Sequence, residues 1–410
     1  MSALKKLVSA LLVLTLAVSG GLLAWHGLHR TSASPPAGQT QTPAVPAPPE
    51  AVPDTVSTLC VAGDLVMHIP IINSCRTDDG YDFTGLFDEA RPYYESADYA
   101  AACIETTFNG PPYSGFPQFC APDQLAGDLK SVGLDLLSTA SNHSLDTWFS
   151  GLTRTLDVLD EAGLDHVGTY RTQEERDAVK VIDVDGIRLA VLAYTYGLPK
   201  DEHPYCVNVF TTDYMTNCGV IDYELLKSDL ARARQTDADA IAVFMHWGQE
   251  YATSPSAQQR ELADFLFENG ATLVLGGHVH VPQPMELREL PDGRTGFLCY
   301  CLGNLISNQH DRYTNLTAAV SLELTKDSET GAVTVSDAEY VPMYMLHPDA
   351  SADGRYHLLD LNRSIADCES GDQTVVPAAV LPALRQGLAD AHSIFGAEEE
   401  LQLSPAEKAA

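Results

Sequence analysis

The chain has 410 residues, 45% of them apolar, 8% aromatic and 20% charged, which excludes both a peptide and a disordered polymer and predicts a sizeable buried core. Its 24 basic and 56 acidic residues give a formal charge of −32, a surface that repels phosphate backbones and argues against nucleic acid as a partner. Nine cysteines are too few for a scaffold built from disulfides.

Lys5 and Lys6 precede an uncharged run from Leu7 to Trp25, about the length that crosses a bilayer as one helix. Positive charge before the run suits an N-in orientation with the bulk of the chain exported, although Arg30 after it weakens the asymmetry. No clean small-x-small cleavage site closes the run, so an uncleaved membrane anchor is preferred to a cleaved secretion signal. From Ser32 to Pro53 prolines recur with almost nothing to bury, as in a semi-extended spacer. The expected organisation is an anchor or signal over 1–30, a Pro-rich spacer over 31–54, a folded domain over 55–348 and a polar, acidic extension over 349–410.

Within the domain, Thr58–Ala62, Tyr99–Ile104, Asp135–Thr139, Ala240–Met245 and Thr272–Leu275 read as buried strands. Between them Pro122–Val132, Phe149–Ala162, Tyr223–Arg234 and Ser256–Asn269 carry the apolar spacing of helices, and the alternation predicts a layered α/β domain. Val179–Val184 and Ile187–Tyr194 flank Asp185-Gly186, a hairpin signal. Gly296–Leu302, Ala318–Leu324 and Val333–Tyr340 follow without helices between them, which predicts an antiparallel end to the sheet. Export would permit a disulfide between Cys206 and Cys218, while Cys299 and Cys301 alternate on a strand and are expected as small core residues facing one side. The stretch from Asp349, with Glu398, Glu399 and Glu400 near its end, reads as solvated or loosely docked.

The polar groups of interest fall just after the predicted strands, where open α/β sheets place their sites. Asp64 stands in VAGDLVMH, Glu105 in AACIETTF, Asn142, His143 and Asp146 in STASNHSLD, His246 in VFMHWGQEY, and His278 and His280 in LVLGGHVHVPQP. Each has an ordinary structural reading: a helix cap for Asp64, a surface group for Glu105, a turn for Asn142, a core imidazole for His246. The pair His278 and His280 after two glycines is more specific, because alternation puts both rings on one side of an extended segment. Carboxylates, an amide and imidazoles converging on one sheet edge suit one or two divalent ions of the first transition row.

In this order the motifs resemble those of the calcineurin-like metallophosphoesterases, and within them the CapA family of capsule and poly-γ-glutamate biosynthesis. GDLVMH, ASNHSLD, HWGQEY, GGHVHVPQP and YCLGNL carry the resemblance, which runs from about Leu59 to Asn308. It implies an α/β/β/α sandwich with mixed sheets and two divalent transition-metal ions of the Mn, Fe or Zn type. By the same resemblance, Asp64 and His280 hold one ion, Asn142, His246 and His278 hold the other, and Glu105 bridges or serves the first. His143 would protonate a leaving oxygen, with Asp146 orienting its other nitrogen. His68 stands four residues after Asp64 where the wider superfamily spaces two, so it is a ligand candidate only by analogy. Cys103 replaces an expected Asn and changes either a ligand or a supporting hydrogen bond. Asn304 after Gly303 faces the site or makes a turn; Trp247 and Tyr251 wall a pocket or pack; Glu250 supports the site or lies on the surface.

Two functions follow from this. The first is a membrane-anchored extracytoplasmic metal-dependent hydrolase of a cell-envelope polymer or phosphoester. The second is a non-catalytic envelope subunit that assists a membrane polymer synthase or exporter.

Overall fold

The computed structural model describes residues 53–198, 202–211 and 220–396. The expected anchor, all but the end of the spacer, Cys218 and the Glu398–Glu400 cluster lie outside these residues, and no helix among those described is long and apolar enough to cross a membrane.

The chain runs β1 (Thr55–Leu65), α1 (Ile69–Ser74), α2 (Arg91–Ser96), β2 (Tyr99–Ile104), α3 (Gln124–Ser131), β3 (Leu136–Ser138), α4 (Trp148–Ala162), β4 (Asp165–Val167), α5 (Gln173–Asp177), β5 (Lys180–Val184) and β6 (Ile187–Tyr194). It continues through α6 (Tyr223–Ala233), β7 (Ala240–His246), α7 (Ala257–Glu268), β8 (Leu273–Gly277), β9 (Met285–Glu289), β10 (Thr295–Cys299), β11 (Asn304–Ile306), β12 (Leu316–Lys326), β13 (Val333–Leu346), β14 (His357–Asp360), α8 (Leu361–Ser370) and α9 (Leu381–Phe395).

Two mixed sheets form, one in the order β14-β13-β12-β1-β2-β3-β4 with β11 also beside β1, the other in the order β5-β6-β7-β8-β10-β9. Period-two alternation gives each central strand two buried faces. Leu59, Val61 and Ala101 of the first sheet meet Val191, Ala242, Phe244 and Leu275 of the second in a shared core. On the opposite face of the first sheet, Cys60, Ala62, Ala100 and Ala102 pack beneath Leu125 and Leu129 of α3 and Leu159 of α4. The outer face of the second sheet does the same, with Leu192, Val243 and Val274 against Leu226 and Leu230 of α6 and Leu262 and Leu266 of α7. The result is the expected α/β/β/α sandwich with mixed sheets. Local chemistry sets its boundaries: Ser256 and Gln259 form a capping box at the start of α7, and Asp185 and Gly186 both adopt positive φ between β5 and β6, as a tight hairpin turn requires.

Four expectations need correction. β1 extends to Leu65, so Asp64 lies inside the strand rather than after it. β10 pairs parallel with β8 and antiparallel with β9 in the second sheet, so the late strands divide between two sheets, and β12, β13 and β14 make the antiparallel end of the first. β10 stops at Cys299, so Cys299 joins the core between the sheets while Cys301 packs with Val279 and Val281. The stretch after Asp349 is not a loose end: β14 pairs with β13, and Leu384, Ala391 and Phe395 of α9 are buried.

Candidate metal centre

The parallel strands β1, β2, β7 and β8 deliver their carboxyl ends to one place. Asp64 is fully buried, and its Oδ2 accepts a 2.7 Å hydrogen bond from the His278 N–H just past β8. Gly277 permits that approach, since a Cβ there would lie 2.4 Å from Asp64 Oδ1. Glu105 follows β2 directly, also fully buried, with its N–H donating to the Leu65 carbonyl at 2.9 Å. Asn142 sits in a serine-braced turn after β3, where Ser144 Oγ accepts from the Ser141 N–H at 2.8 Å and donates to the Thr139 carbonyl at 2.7 Å. That turn sets Asn142 Oδ1 2.7 Å from Nε2 of His246, the last residue of β7. His278 and His280 both hold positive φ, 89° and 63°, a conformation costly for a side-chain-bearing residue and found where function over-determines the backbone.

Donor atoms therefore converge without donors to match. His246 Nε2 lies 3.2 Å from His278 Nδ1 and 3.6 Å from Glu105 Oε2, while His280 Nδ1 lies 3.9 Å from Glu105 Oε1. Ligand atoms of Asp64, Glu105 and His246 all fall within 4.8 Å of one another. Asp64 Oδ1 and both oxygens of Glu105 are buried with no hydrogen-bond partner. Burial pushes the Asp64 carboxyl up to about 6, and burial together with the Asp64 charge pushes Glu105 well above the usual carboxylate range. Burial likewise holds His246 and His278 well below the ordinary imidazole value and brings His280 down to about 4, so all three rings are neutral at pH 7 and offer lone pairs. Uncompensated carboxylates among neutral imidazoles lack one thing, positive charge, and an N/O set of this kind fits divalent ions of the first transition row.

His143 stands at the rim. Its Nδ1 lies 2.8 Å from Asp146 Oδ2, an oxygen that also accepts the Phe119 N–H at 2.6 Å, and the Phe119 ring meets the imidazole edge-on at 4.6 Å. A carboxylate can only accept, so Nδ1 carries the proton and Nε2 is left for exchange. His68 Nδ1 lies 3.2 Å from the Asn308 nitrogen and 3.1 Å from the Val66 carbonyl, and its ring meets that of Phe119 edge-on at 5.3 Å. Cys103 sits opposite Asp64 in the β1–β2 register, but burial and then the Asp64 and Glu105 charges push its thiol up, so it holds its proton and offers no thiolate. Trp247 is a core residue, with Nε1–H donating to the Tyr300 carbonyl at 2.8 Å. Tyr251 is 44% exposed with its ring 6.2 Å from that of His280, and Glu250 is exposed. Asn304 faces the site, its Oδ1 2.9 Å from His280 Nδ1.

Tyr196 is the residue the sequence reading missed, its hydroxyl meeting His278 Nε2. The signal was present, because Thr195 and Tyr196 directly follow β6 at the same sheet edge, but a tyrosine there reads as packing.

A four-layer sandwich with a buried carboxylate, amide and imidazole cluster at its strand ends defines a protein with a candidate divalent-metal centre. The chain belongs to the family described as bacterial capsule synthesis protein PGA_cap, whose model matches residues 58–309. It is 26% identical over 290 residues to the capsule biosynthesis protein CapA of Bacillus anthracis, an alignment spanning 68% of this chain and 66% of that one. It is 28% identical over 300 residues to the PGA biosynthesis protein CapA of Bacillus subtilis, spanning 71% and 73%. Among solved structures it is similar to a phosphatase from Mycoplasma pneumoniae, with a TM-score of 0.41 and 14% identity over 71% of this chain and 94% of that one. It is also similar to the calcineurin-like phosphoesterase YfkN of Bacillus subtilis, with a TM-score of 0.39 and 12% identity over 84% of this chain and 100% of that one.

Proposed function

We propose that this protein is a metal-dependent hydrolase of the cell envelope, anchored by residues 1–30 with its sandwich outside the membrane, that acts on a capsule-type polymer such as poly-γ-glutamate or on an envelope phosphoester. The observation that carries it is the set of three unpartnered oxygens on buried Asp64 and Glu105, facing Asn142 and neutral His246, His278 and His280. We read the donor set as holding two ions, since Glu105 lies 3.6 Å from His246 by one oxygen and 3.9 Å from His280 by the other. When bound, divalent cations supply activation of water and neutralisation of charge that builds on a phosphoryl or acyl group. The chain's own contribution is positional: Gly277 and the His278 N–H fix Asp64, the serine turn fixes Asn142, and Asp146 keeps the His143 proton on Nδ1 so that Nε2 can deliver a proton to a departing oxygen or take one.

Metal analysis of the purified full chain, run beside hydrolysis of an aryl phosphodiester and monoester with manganese added, tests this. His143→Ala should keep its metal and lose about 100- to 10,000-fold in turnover; His246→Ala should lose metal and turnover together. A chain that binds no metal and turns over nothing would instead be a non-catalytic envelope subunit that assists a membrane synthase or exporter.

A further inference from the structure

We infer that Asn304 sets the tautomer of His280 by holding its proton on Nδ1, with Gln309 and then Tyr251 at the pocket mouth continuing the chain of contacts. The link to metal affinity rests on the reading of His280 as a ligand; the tautomer does not.

The donors and acceptors around Asn304 have fixed roles. Asn304 opens β11, lies opposite Asp64 in the parallel register and is fully buried. One end of its amide lies 3.0 Å from the main-chain carbonyl of Thr314. A carbonyl oxygen only accepts, so that end must be the NH2 group, whichever way the amide might otherwise be drawn. The other end is then the amide oxygen, and it lies 2.9 Å from His280 Nδ1. An amide oxygen also only accepts, so Nδ1 carries the proton and the lone pair sits on Nε2.

The second N–H of Asn304 is taken by Gln309 Oε1 at 2.9 Å. That use of its oxygen turns Gln309 Nε2 outward to the Tyr251 hydroxyl at 3.4 Å. Ser307 Oγ accepts the Gln309 N–H at 3.1 Å and holds its backbone in place, while Tyr251 is itself tied by its N–H to the Val279 carbonyl between the two histidines at 2.8 Å. His278 differs. Its Nε2 meets the Tyr196 hydroxyl and its Nδ1 lies 3.2 Å from His246 Nε2, both groups that can give or take a hydrogen bond. Of two neighbouring rings on one loop, His280 has its donor nitrogen assigned by its surroundings. Such outer partners orient ligating imidazoles and set their strength as ligands.

Asn304→Leu removes the acceptor for His280 Nδ1 with little change of side-chain volume, while Gln309→Leu at a half-buried position leaves the Thr314 carbonyl to hold the Asn304 amide. The full chain, 15N-labelled at histidine and stripped of metal, should show His280 as the Nδ1–H form in wild type and in Gln309→Leu, and a mixture of tautomers in Asn304→Leu. Manganese affinity by chelator competition should fall about tenfold in Asn304→Leu and hold in Gln309→Leu. An Nε2–H form in the wild type overturns the inference. So does an Asn304→Leu chain that matches wild type in spectrum and affinity, or a Gln309→Leu chain that loses as much as Asn304→Leu. A wild type that binds no manganese would sink the proposed hydrolase, yet the metal-free spectrum would still decide the tautomer.

Discussion

Two buried acidic sites in this molecule are treated in opposite ways. Asp229 of α6 is 1% exposed and fully answered: Arg176 reaches both its oxygens at 3.2 and 2.6 Å, Arg232 donates at 2.5 Å and the Tyr194 hydroxyl at 2.9 Å. Asp64 and Glu105 are buried as deeply and share one backbone N–H between four oxygens. A carboxylate supplied with its own cations ties α5, α6 and β6 together and is finished when the chain has folded. The carboxylates at the strand ends are left unfinished by the chain itself, and that deficit marks a site made for something the chain does not contain.

Removing the first carboxylate should hurt folding and nothing else. Asp229→Ala leaves Arg176 and Arg232 without their counter-charge and should cost about 3–5 kcal/mol in denaturant unfolding, with bound metal per chain unchanged. Metal loss in that variant would break the distinction between the two sites. Adding manganese at a hundredfold excess over its dissociation constant should raise the unfolding free energy by about 2.7 kcal/mol, a gain absent in Asp64→Asn. If Asp64→Asn gains as much, the cation binds elsewhere. The smallest effect sharpens the contrast: Tyr194→Phe deletes one of four donors to Asp229 and should cost about 1.5 kcal/mol, measured by the same unfolding curve.

The candidate centre was legible because its parts are short local signals. Gly276-Gly277 before His278, the Ser-Asn-His-Ser turn and a histidine closing an apolar run each announce a strand end, and parallel order gathers strand ends on one edge. Asp229 was invisible for the complementary reason: Arg176 and Tyr194 lie 53 and 35 residues away, and its one local partner, Arg232 at i+3, is a spacing that any surface acid on a helix can have. Short strands escaped likewise. β4 has three residues, two of them polar, too few for a period to show, and it is a strand because β3 offers it an edge. The stretch after Asp349 reads as polar because its helices bury only a narrow stripe, Leu361, Ser364 and Cys368 in α8 and Leu384, Gly387, Ala391 and Phe395 in α9.

β1 lies between β2, which follows it closely in the chain, and β12, which begins only at Leu316. During synthesis the first strand therefore waits, with one row of amides and carbonyls unpaired, until most of the polypeptide has left the ribosome, and the sheet's edge is closed later still by β14. A nascent chain that cannot complete its sheet early has to be shielded from sticking to its neighbours, and it also stays extended for longer. For the export proposed above, that delay would keep the chain threadable, able to pass through a narrow membrane channel before its last strands lock the first one in place.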